Sequence, residues 1–207
     1  MSATNPNARL ETFCDGVFAI ALTLLIIDVK IPASSRINST ADLWLALKNI
    51  LPSIFAFILS FAIILITWVN HHNAFKLAGK TSSAFMYANG LLLLSVVFIP
   101  FPTSLIGEYI LTDHAAPAVI IYNLVLTLQA FAWSLICTAG LKGNLARGEK
   151  SIQQTRRNRT YAYFSVVLYS VLAILSAWFP LPVLITTMLL WVLWLFLGIN
   201  IKPDVEL

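Results

Sequence analysis

Charged residues are scarce in this 207-residue chain, and their scarcity excludes an ordinary water-soluble domain. Asp, Glu, Lys and Arg together make up 11% of the sequence, whereas hydrophobic residues make up 59%. A soluble domain needs many more polar side chains to cover its exterior. The composition therefore predicts an integral membrane protein, in which lipid solvates most of the surface.

Metal-ligating residues are scarce as well. The chain has two cysteines, Cys14 and Cys137, and three histidines, and their positions match no spacing typical of structural zinc. Both cysteines fall toward the predicted cytoplasmic ends of their helices, where thiols stay reduced, so we expect no disulfide. The sequence predicts neither a resident metal nor a cofactor.

Long uncharged stretches predict an all-α fold with six transmembrane helices. A helix needs about 20 mostly apolar residues to cross the bilayer core. Three stretches meet this length directly, and a fourth, 160–201, is divided by Pro180 and Pro182, which predict a tight hairpin. The first span is the exception, because Asp15 and Asp28 enclose only twelve uncharged residues. The predicted spans are 10–31, 43–70, 82–108, 116–141, 160–179 and 181–201, in one domain covering 1–207.

The first span has one feature of a cleaved signal peptide, namely the small residues 32–35 that follow its apolar part. A signal peptide has a basic leader without acidic residues. Here Glu11 and Asp15 occupy the leader position. We therefore interpret this segment as a permanent first helix.

The distribution of lysine and arginine predicts the orientation. If the N-terminus is cytoplasmic, ten of the thirteen basic residues lie on the cytoplasmic side, which satisfies the positive-inside rule. We expect both termini in the cytoplasm and the chain in the inner (plasma) membrane. Anionic lipids of the inner leaflet account for the net charge of +4 without a nucleic-acid partner. The basic run 156–159 is interpreted as a solvated cluster at the membrane edge.

A polar cluster is predicted where the first two spans meet at their cytoplasmic ends. The first helix runs outward and the second returns, so Asp15 comes to the same depth as His71 and His72. Such a cluster is typical of a gate, a proton sensor or a metal site, or of a hydrogen-bond network that holds two helices together. Adjacent histidines point about 100° apart on a helix and do not easily share an ion. An imidazole beside a carboxylate titrates near neutral pH, so a modulatory role stays open.

An apolar stripe follows one face of the first helix. Ile20, Leu24 and Ile27 are spaced i, i+4 and i+7, and Thr23 lies beside them. Asp15 lies about 140° around the helix from Ile20, so it points away from the stripe. By itself, such a stripe is typical of a surface that faces lipid or the protein core.

Three ordered blocks of sequence resemble the bacterial members of the transmembrane protein 175 family, which are potassium channels. The first is Arg9-x-x-x-Phe13-Cys14-Asp15 with the residues that follow it, where the family pattern has Phe-Ser-Asp and Cys14 replaces the serine. The second block is Trp68-Val69-Asn70-His71-His72, and the third is 100–109, Pro-Phe-Pro-Thr-Ser-Leu-Ile-Gly-Glu-Tyr. The resemblance covers the first half of the chain, and the later spans match only in hydropathy and length.

This resemblance implies a homotetramer of six-helix subunits in which the first helix of each subunit lines a central pore. The family has no glycine-rich carbonyl filter and narrows the pore with bulky apolar side chains. The matching positions here are Ile20, as the tightest ring, Leu24 and Ile27, with the hydroxyl of Thr23 beside them. The partners implied are other copies of the chain, the bilayer and monovalent cations, with potassium as the permeant ion.

The resemblance also implies a structural polar network that holds the first two helices in place. Its predicted members are Arg9, Phe13, Asp15, Trp68, Asn70, His71 and His72. Replacing serine with Cys14 changes a strong hydroxyl group to a weak thiol within this network. Near the external mouth, Asp28 is predicted to attract cations, although Lys30 and Lys48 lie close enough to offset its charge.

The function predicted from these features is a cation channel with a modest preference for potassium over sodium. An apolar ring offers no ligands in place of water, and sodium holds its water more tightly. A secondary transporter is one alternative, although the even-numbered spans hold few strong polar groups at mid-depth. A membrane enzyme using Asp15 with His71 or His72 lacks a nucleophile motif, so the chain is not predicted to be an enzyme. A non-conducting scaffold is the third alternative.

Overall fold

The computed structural model describes residues 7–199, except for the side chains at positions 28, 36 and 196–199. In this part of the chain the architecture is all-helical, with eight α-helices; the connection between the first two, residues 25–39, contains the 3-10 turns Leu25–Asp28 and Ser34–Arg36, and the other connections are short. They are α1 (Ala8–Leu24), α2 (Thr40–Asn49), α3 (Leu51–Leu77), α4 (Ser83–Phe98), α5 (Pro100–Tyr109), α6 (Ala115–Lys142), α7 (Glu149–Leu175) and α8 (Pro180–Ile199).

Helix α1 packs into the bundle by one narrow face. Cys14, Phe18 and Ala21 are buried, and Leu25, in the 3-10 turn Leu25–Asp28 that continues the helix, is buried with them. Their spacing of four, three and four residues places them on one side of the helix. This side contacts α3 and α4. The opposite side of α1 therefore faces away from the chain's own core.

The predicted second span, 43–70, differs from the observed helices. The chain forms α2 first, whose N-terminus is capped by the Ser39 hydroxyl as it accepts a hydrogen bond from the Asp42 amide at 3.1 Å. A new helix, α3, begins at Leu51 with Pro52 in its first turn, where the missing proline N–H costs nothing. Helix α3 then continues past Lys76 to Leu77. The uncharged run alone did not indicate these ends, because helix boundaries depend on capping as well as on hydropathy.

The third predicted span, 82–108, agrees closely with an observed span at Ser83–Tyr109, which is divided internally. Helix α4 ends at Phe98 and α5 begins at Pro100, because proline cannot donate the hydrogen bond that would continue α4. Helix α5 is packed tightly against α3, whereas α4 packs against α6 and α1. A Cβ atom added at Gly107 would lie only 2.8 Å from Ser53 Cα, so glycine permits this close approach of α5 to α3.

Helix α6 lies at the centre of the bundle and contacts α4, α5, α7 and α8. Buried polar side chains tie it to its neighbours. Tyr122 Oη lies 3.3 Å from Ser60 Oγ on α3, and Ser60 Oγ lies 2.6 Å from Thr103 Oγ1 on α5. On α8, the Thr187 hydroxyl donates to Asn123 Oδ1 of α6 at 3.0 Å. These bonds satisfy polar groups that lipid would leave unpaired.

Within residues 7–199, four helical segments are long and apolar enough to cross a membrane, and they overlap the first four predicted spans. They are Ala8–Ile27, Leu51–Leu77, Ser83–Tyr109 and Ala115–Lys142. The predicted hairpin at Pro180 is present as the short connection between α7 and α8. The apolar part of α8 is a shorter helix, Pro180–Leu195, and α7 begins with a charged segment before its apolar part. The crossing of the membrane by α7 and α8 stays a prediction.

Two connections pair with each other at one end of the bundle. Ala78, between α3 and α4, forms an isolated antiparallel bridge with Ala146, between α6 and α7. The Gly79 amide donates to the Leu145 carbonyl at 2.7 Å. The Asn7 side-chain amide, just before α1, donates to the Ala78 carbonyl at 2.9 Å. The start of α1 is thereby joined to both connections.

Candidate pore-lining helix and its anchors

The side of α1 that faces α3 carries a carboxylate with a defined partner. Trp68 of α3 donates from its indole Nε1 to Asp15 Oδ1 at 2.8 Å, and both side chains are partly buried. Hydrogen bonds to an ionised carboxylate are among the strong ones. Asp15 and Trp68, both predicted members of the polar network, are therefore in contact and join α1 to α3.

The two adjacent histidines of α3 have different surroundings. His72 Nδ1 lies 3.1 Å from Glu11 Oε1 on α1, and the His72 side chain is 42% exposed. Its ring stacks on the Trp68 indole, with ring centroids 6.3 Å apart. Glu11, Asp15, Trp68 and His72 thus form one cluster at the boundary between α1 and α3. In this cluster the carboxylate that contacts His72 is Glu11, and Asp15 contacts Trp68.

His71 is turned into the core. It is 1% exposed, and its Nε2 lies 2.8 Å from Asn89 Oδ1 of α4. The Asn89 side-chain amide donates to the Phe85 carbonyl at 2.7 Å, so the Asn89 oxygen accepts from the imidazole N–H. Aromatic rings of three helices surround it, namely Phe18, Phe75 and Trp133, with centroids 5.2, 4.7 and 6.3 Å away. His71 therefore links α3 to α4 from within the core.

Sequence reasoning missed Glu11, Asn89 and Gln129 as members of these interactions. Glu11 lies four residues before Asp15, so its place on the same side of α1 was readable from the helical period. Asn89 and Gln129 are single amides in apolar helices, and no local signal identifies their partners. Gln129 of α6 donates to Thr67 Oγ1 at 2.8 Å, which adds a buried link between α6 and α3.

The predicted apolar stripe lies on the uncovered side of α1 and of the 3-10 turn that continues it, which carries Ile27. Ile20 is 59% exposed, Leu24 is 40% exposed and Ile27 is 69% exposed. Thr23 is also exposed, and its hydroxyl donates to the Ile20 carbonyl at 2.9 Å. This chain alone therefore leaves the four predicted constriction residues free to contact something else.

Three other predicted network residues take no part in the contacts described above. Arg9 is exposed and Phe13 is 62% exposed. Because Arg9 and Phe13 lie eleven and seven residues before Ile20, they share its side of the helix. Asn70 is half-buried on α3. The roles of these three residues stay predictions.

The remaining predicted sites concern charge and metal. Asp28 ends the 3-10 turn after α1, and its side chain lies outside the described part of the structure. Lys30 and Lys48 are exposed. Cys14 and Cys137 are free thiols, both buried. Among residues 7–199, no three His, Cys, Asp or Glu side chains come together in an arrangement suited to a metal ion.

The contact between Asp15 and Trp68 leads to a stability prediction. Asp15→Ala leaves a partly buried indole N–H without its acceptor, which is expected to cost about 1–3 kcal/mol. Asp15→Asn keeps an acceptor oxygen and should lose less. Thermal unfolding of the purified protein in detergent, together with the yield of assembled protein, measures the effect. If Asp15 acts through Trp68, the double variant Asp15→Ala with Trp68→Phe has nearly the same unfolding midpoint as Trp68→Phe alone. An Asp15→Ala variant with wild-type midpoint and assembly would contradict this anchoring role.

Comparisons with known proteins give consistent matches. The family model described as endosomal/lysosomal potassium channel TMEM175 matches residues 9–100. A potassium channel of Chamaesiphon minutus is 48% identical over 116 residues, which are 56% of this chain and 57% of that protein. A potassium channel of Chryseobacterium is 31% identical over 175 residues, which are 84% of this chain and 83% of that protein.

A solved structure has a similar fold over most of this chain. It is the crystal structure of a lysosomal potassium-selective channel TMEM175 homolog from Chamaesiphon minutus. The TM-score is 0.78 at 34% identity, covering 90% of this chain and 96% of that chain. The curated Chamaesiphon match spans less than two thirds of its relative's length, whereas the structural match extends over nearly all of the solved chain.

Proposed function

This chain belongs to the TMEM175 family, and we propose that it is the subunit of a potassium-conducting pore in the inner (plasma) membrane. The proposed assembly is a homotetramer of subunits that cross the membrane six times, with both termini in the cytoplasm. The family description and the relatives' names, which are those of potassium channels, support this proposal. A family of channels also agrees with the prediction that the chain is not an enzyme.

The observation that carries the proposal is the uneven burial of α1. One side of the helix is taken up by the chain's own core, through Cys14 and Phe18, which are 0% and 1% exposed. The other side presents Ile20 and Ile27, which are more than half exposed. In the proposed pore, four copies of this second side surround a shared axis. Helix α1 carries the first of the three blocks that resemble the family. It thus packs against its own subunit on one side and is exposed on the other.

The proposed constriction works by excluding water. A narrow ring of isoleucine side chains disfavours water, and ions do not pass until the ring widens enough to be wetted. Ile20 forms the narrowest ring, followed outward by Leu24 and Ile27. The ring has no oxygen ligands that could replace the water around an ion. Losing water costs sodium more free energy than potassium, because sodium is hydrated more tightly, and the resulting preference for potassium is modest.

Two polar groups assist cations in this proposal. The Thr23 hydroxyl uses its hydrogen in the bond to the Ile20 carbonyl, so its oxygen lone pairs remain to accept from water around a passing ion. At the external mouth, Asp28 raises the local cation concentration, and the exposed Lys30 and Lys48 reduce that effect.

Reconstitution into lipid bilayers tests the proposed function. With potassium on one side and sodium on the other, we expect a current without any coupled ion and a reversal potential displaced toward that of potassium. A channel passes current down a single gradient, whereas a secondary transporter requires its coupled ion. Flux that requires a second ion gradient would favour the transporter. Correctly assembled protein that carries no current would favour the scaffold.

A further inference from the structure

A groove of about 480 Å³ opens between the end of α6 and the first turns of α7. Its polar lining residues are Lys142, Asn144, Arg156 and Arg159, and the apolar residues Leu141 and Ile152 line it as well. This groove lies apart from the stripe and the anchors of α1. None of the interactions described above for the proposed pore uses its basic side chains.

The charged side chains that line the groove are all positive. Lys142 and Arg156 are exposed and Arg159 is half-buried, and the described lining residues include no carboxylate. Three cations held around one concave space repel each other, and an anion placed between them removes that repulsion. The neighbouring Arg157 does not line the groove, and its guanidinium Nη2 instead donates a hydrogen bond to Gln154 Oε1 at 2.5 Å. The basic run therefore has one residue outside the groove and two that line it.

The hydrogen-bond donors that line the groove match the oxygens of a phosphate group. Guanidinium groups present paired N–H donors that match phosphate oxygens, and Lys142 adds a compact positive charge. Asn144 adds a side-chain amide. Its φ of 49° is a left-handed conformation that asparagine adopts more readily than most residues, and it turns the chain sharply after α6.

In the predicted crossing of the membrane by α7, the groove lies at the level of the membrane surface. Arg159 directly precedes the uncharged part of α7, which begins at Thr160, and Arg156 lies about one turn earlier. Leu141 and Ile152 supply apolar walls beside the basic groups. A ligand with a phosphate group and an adjoining apolar part therefore finds both kinds of surface here.

We propose that this groove binds a phosphate-bearing anion, held by Arg156, Arg159 and Lys142. Two sources have the required chemistry, the head group of an anionic phospholipid and a free phosphate. Ala146 in the groove wall forms the bridge with Ala78, and Ala78 accepts from Asn7 before α1. A bound anion thus stabilises the end of the bundle from which α1 begins. The inference needs only a membrane-embedded chain, and it does not depend on conduction.

The test measures saturable binding to the purified full chain in neutral detergent, by the rise of its unfolding temperature. The probes are short-chain phosphatidylglycerol, short-chain phosphatidylcholine as the zwitterionic comparison, and inorganic phosphate. Arg156→Gln with Arg159→Gln removes two groove charges. Lys150→Gln with Arg157→Gln removes the same charge from exposed positions outside the groove. We expect the first pair to weaken binding about ten-fold or more, and the second pair about two-fold or less.

The outcomes separate the two sources and the alternatives. Tighter binding of phosphatidylglycerol than of phosphate supports a lipid head group, and equal or tighter binding of phosphate supports a free phosphate compound. Equal weakening by both variant pairs would show general charge attraction and overturn the site, as would the absence of saturable binding. If the groove pair does not fold, Lys142→Gln tests the opposite wall. Because the readout is binding, a chain that binds phosphate but passes no current separates this inference from the proposed function.

Discussion

Replacing Ile20 with serine is expected to increase the resting potassium and sodium leak and to move the reversal potential toward zero. Ile20 is 59% exposed on the uncovered side of α1, and in the proposed pore it forms the narrowest apolar ring. A small hydroxyl side chain widens the ring and allows it to hold water. A ten-fold rise in leak corresponds to about 1.4 kcal/mol removed from the barrier to permeation. Bilayer recordings of reconstituted protein measure both quantities.

Ile58 offers a matched control for this experiment. It lies on α3 and is 58% exposed, so it resembles Ile20 in residue type and in exposure but lies on a different helix. Ile58→Ser is expected to leave the leak and the reversal potential unchanged. Equal currents from both variants, or an Ile20→Ser variant with wild-type currents, would contradict the assigned constriction.

The second large effect is expected at His71. His71→Ala removes a fully buried ring from among Phe18, Phe75 and Trp133 and leaves the Asn89 oxygen without its donor. The cavity and the unpaired polar group together should lower the free energy of unfolding by about 2–5 kcal/mol. His71→Phe fills the space but still leaves Asn89 unpaired, so its loss should be smaller. Denaturation of the purified protein in mixed micelles measures both variants.

The neighbouring histidine is the natural comparison. His72 is 42% exposed and contacts Glu11 at 3.1 Å. An ion pair or hydrogen bond at such an exposed position contributes about 0–1 kcal/mol. His72→Ala is therefore expected to change the free energy of unfolding much less than His71→Ala. A His72→Ala variant as unstable as His71→Ala would mean that the α1–α3 boundary, not the core contact with Asn89, carries the stability.

Sequence reasoning was most successful where the relevant property is local. Hydropathy along 116–141 predicted α6 to within a residue at each end, because a bilayer accepts only a continuous apolar helix there. The spacing of Ile20, Leu24 and Ile27 predicted a shared side of α1, because helical period alone determines which residues lie together. The break between α2 and α3 was missed, since Pro52 acts in the first turn of α3, inside a stretch that hydropathy alone assigns to one span.

What the sequence by itself determined is four helical segments apolar enough to cross a membrane, the two sides of α1 and the family. What only the tertiary structure decided is the set of partners: Trp68 for Asp15, Asn89 for His71, and the joint lining of one groove by Lys142 and Arg159. The physical reason is that hydropathy and helical period are properties of neighbouring residues. A partner, in contrast, depends on how far each helix is rotated and shifted against another, and close packing of the whole bundle settles that geometry.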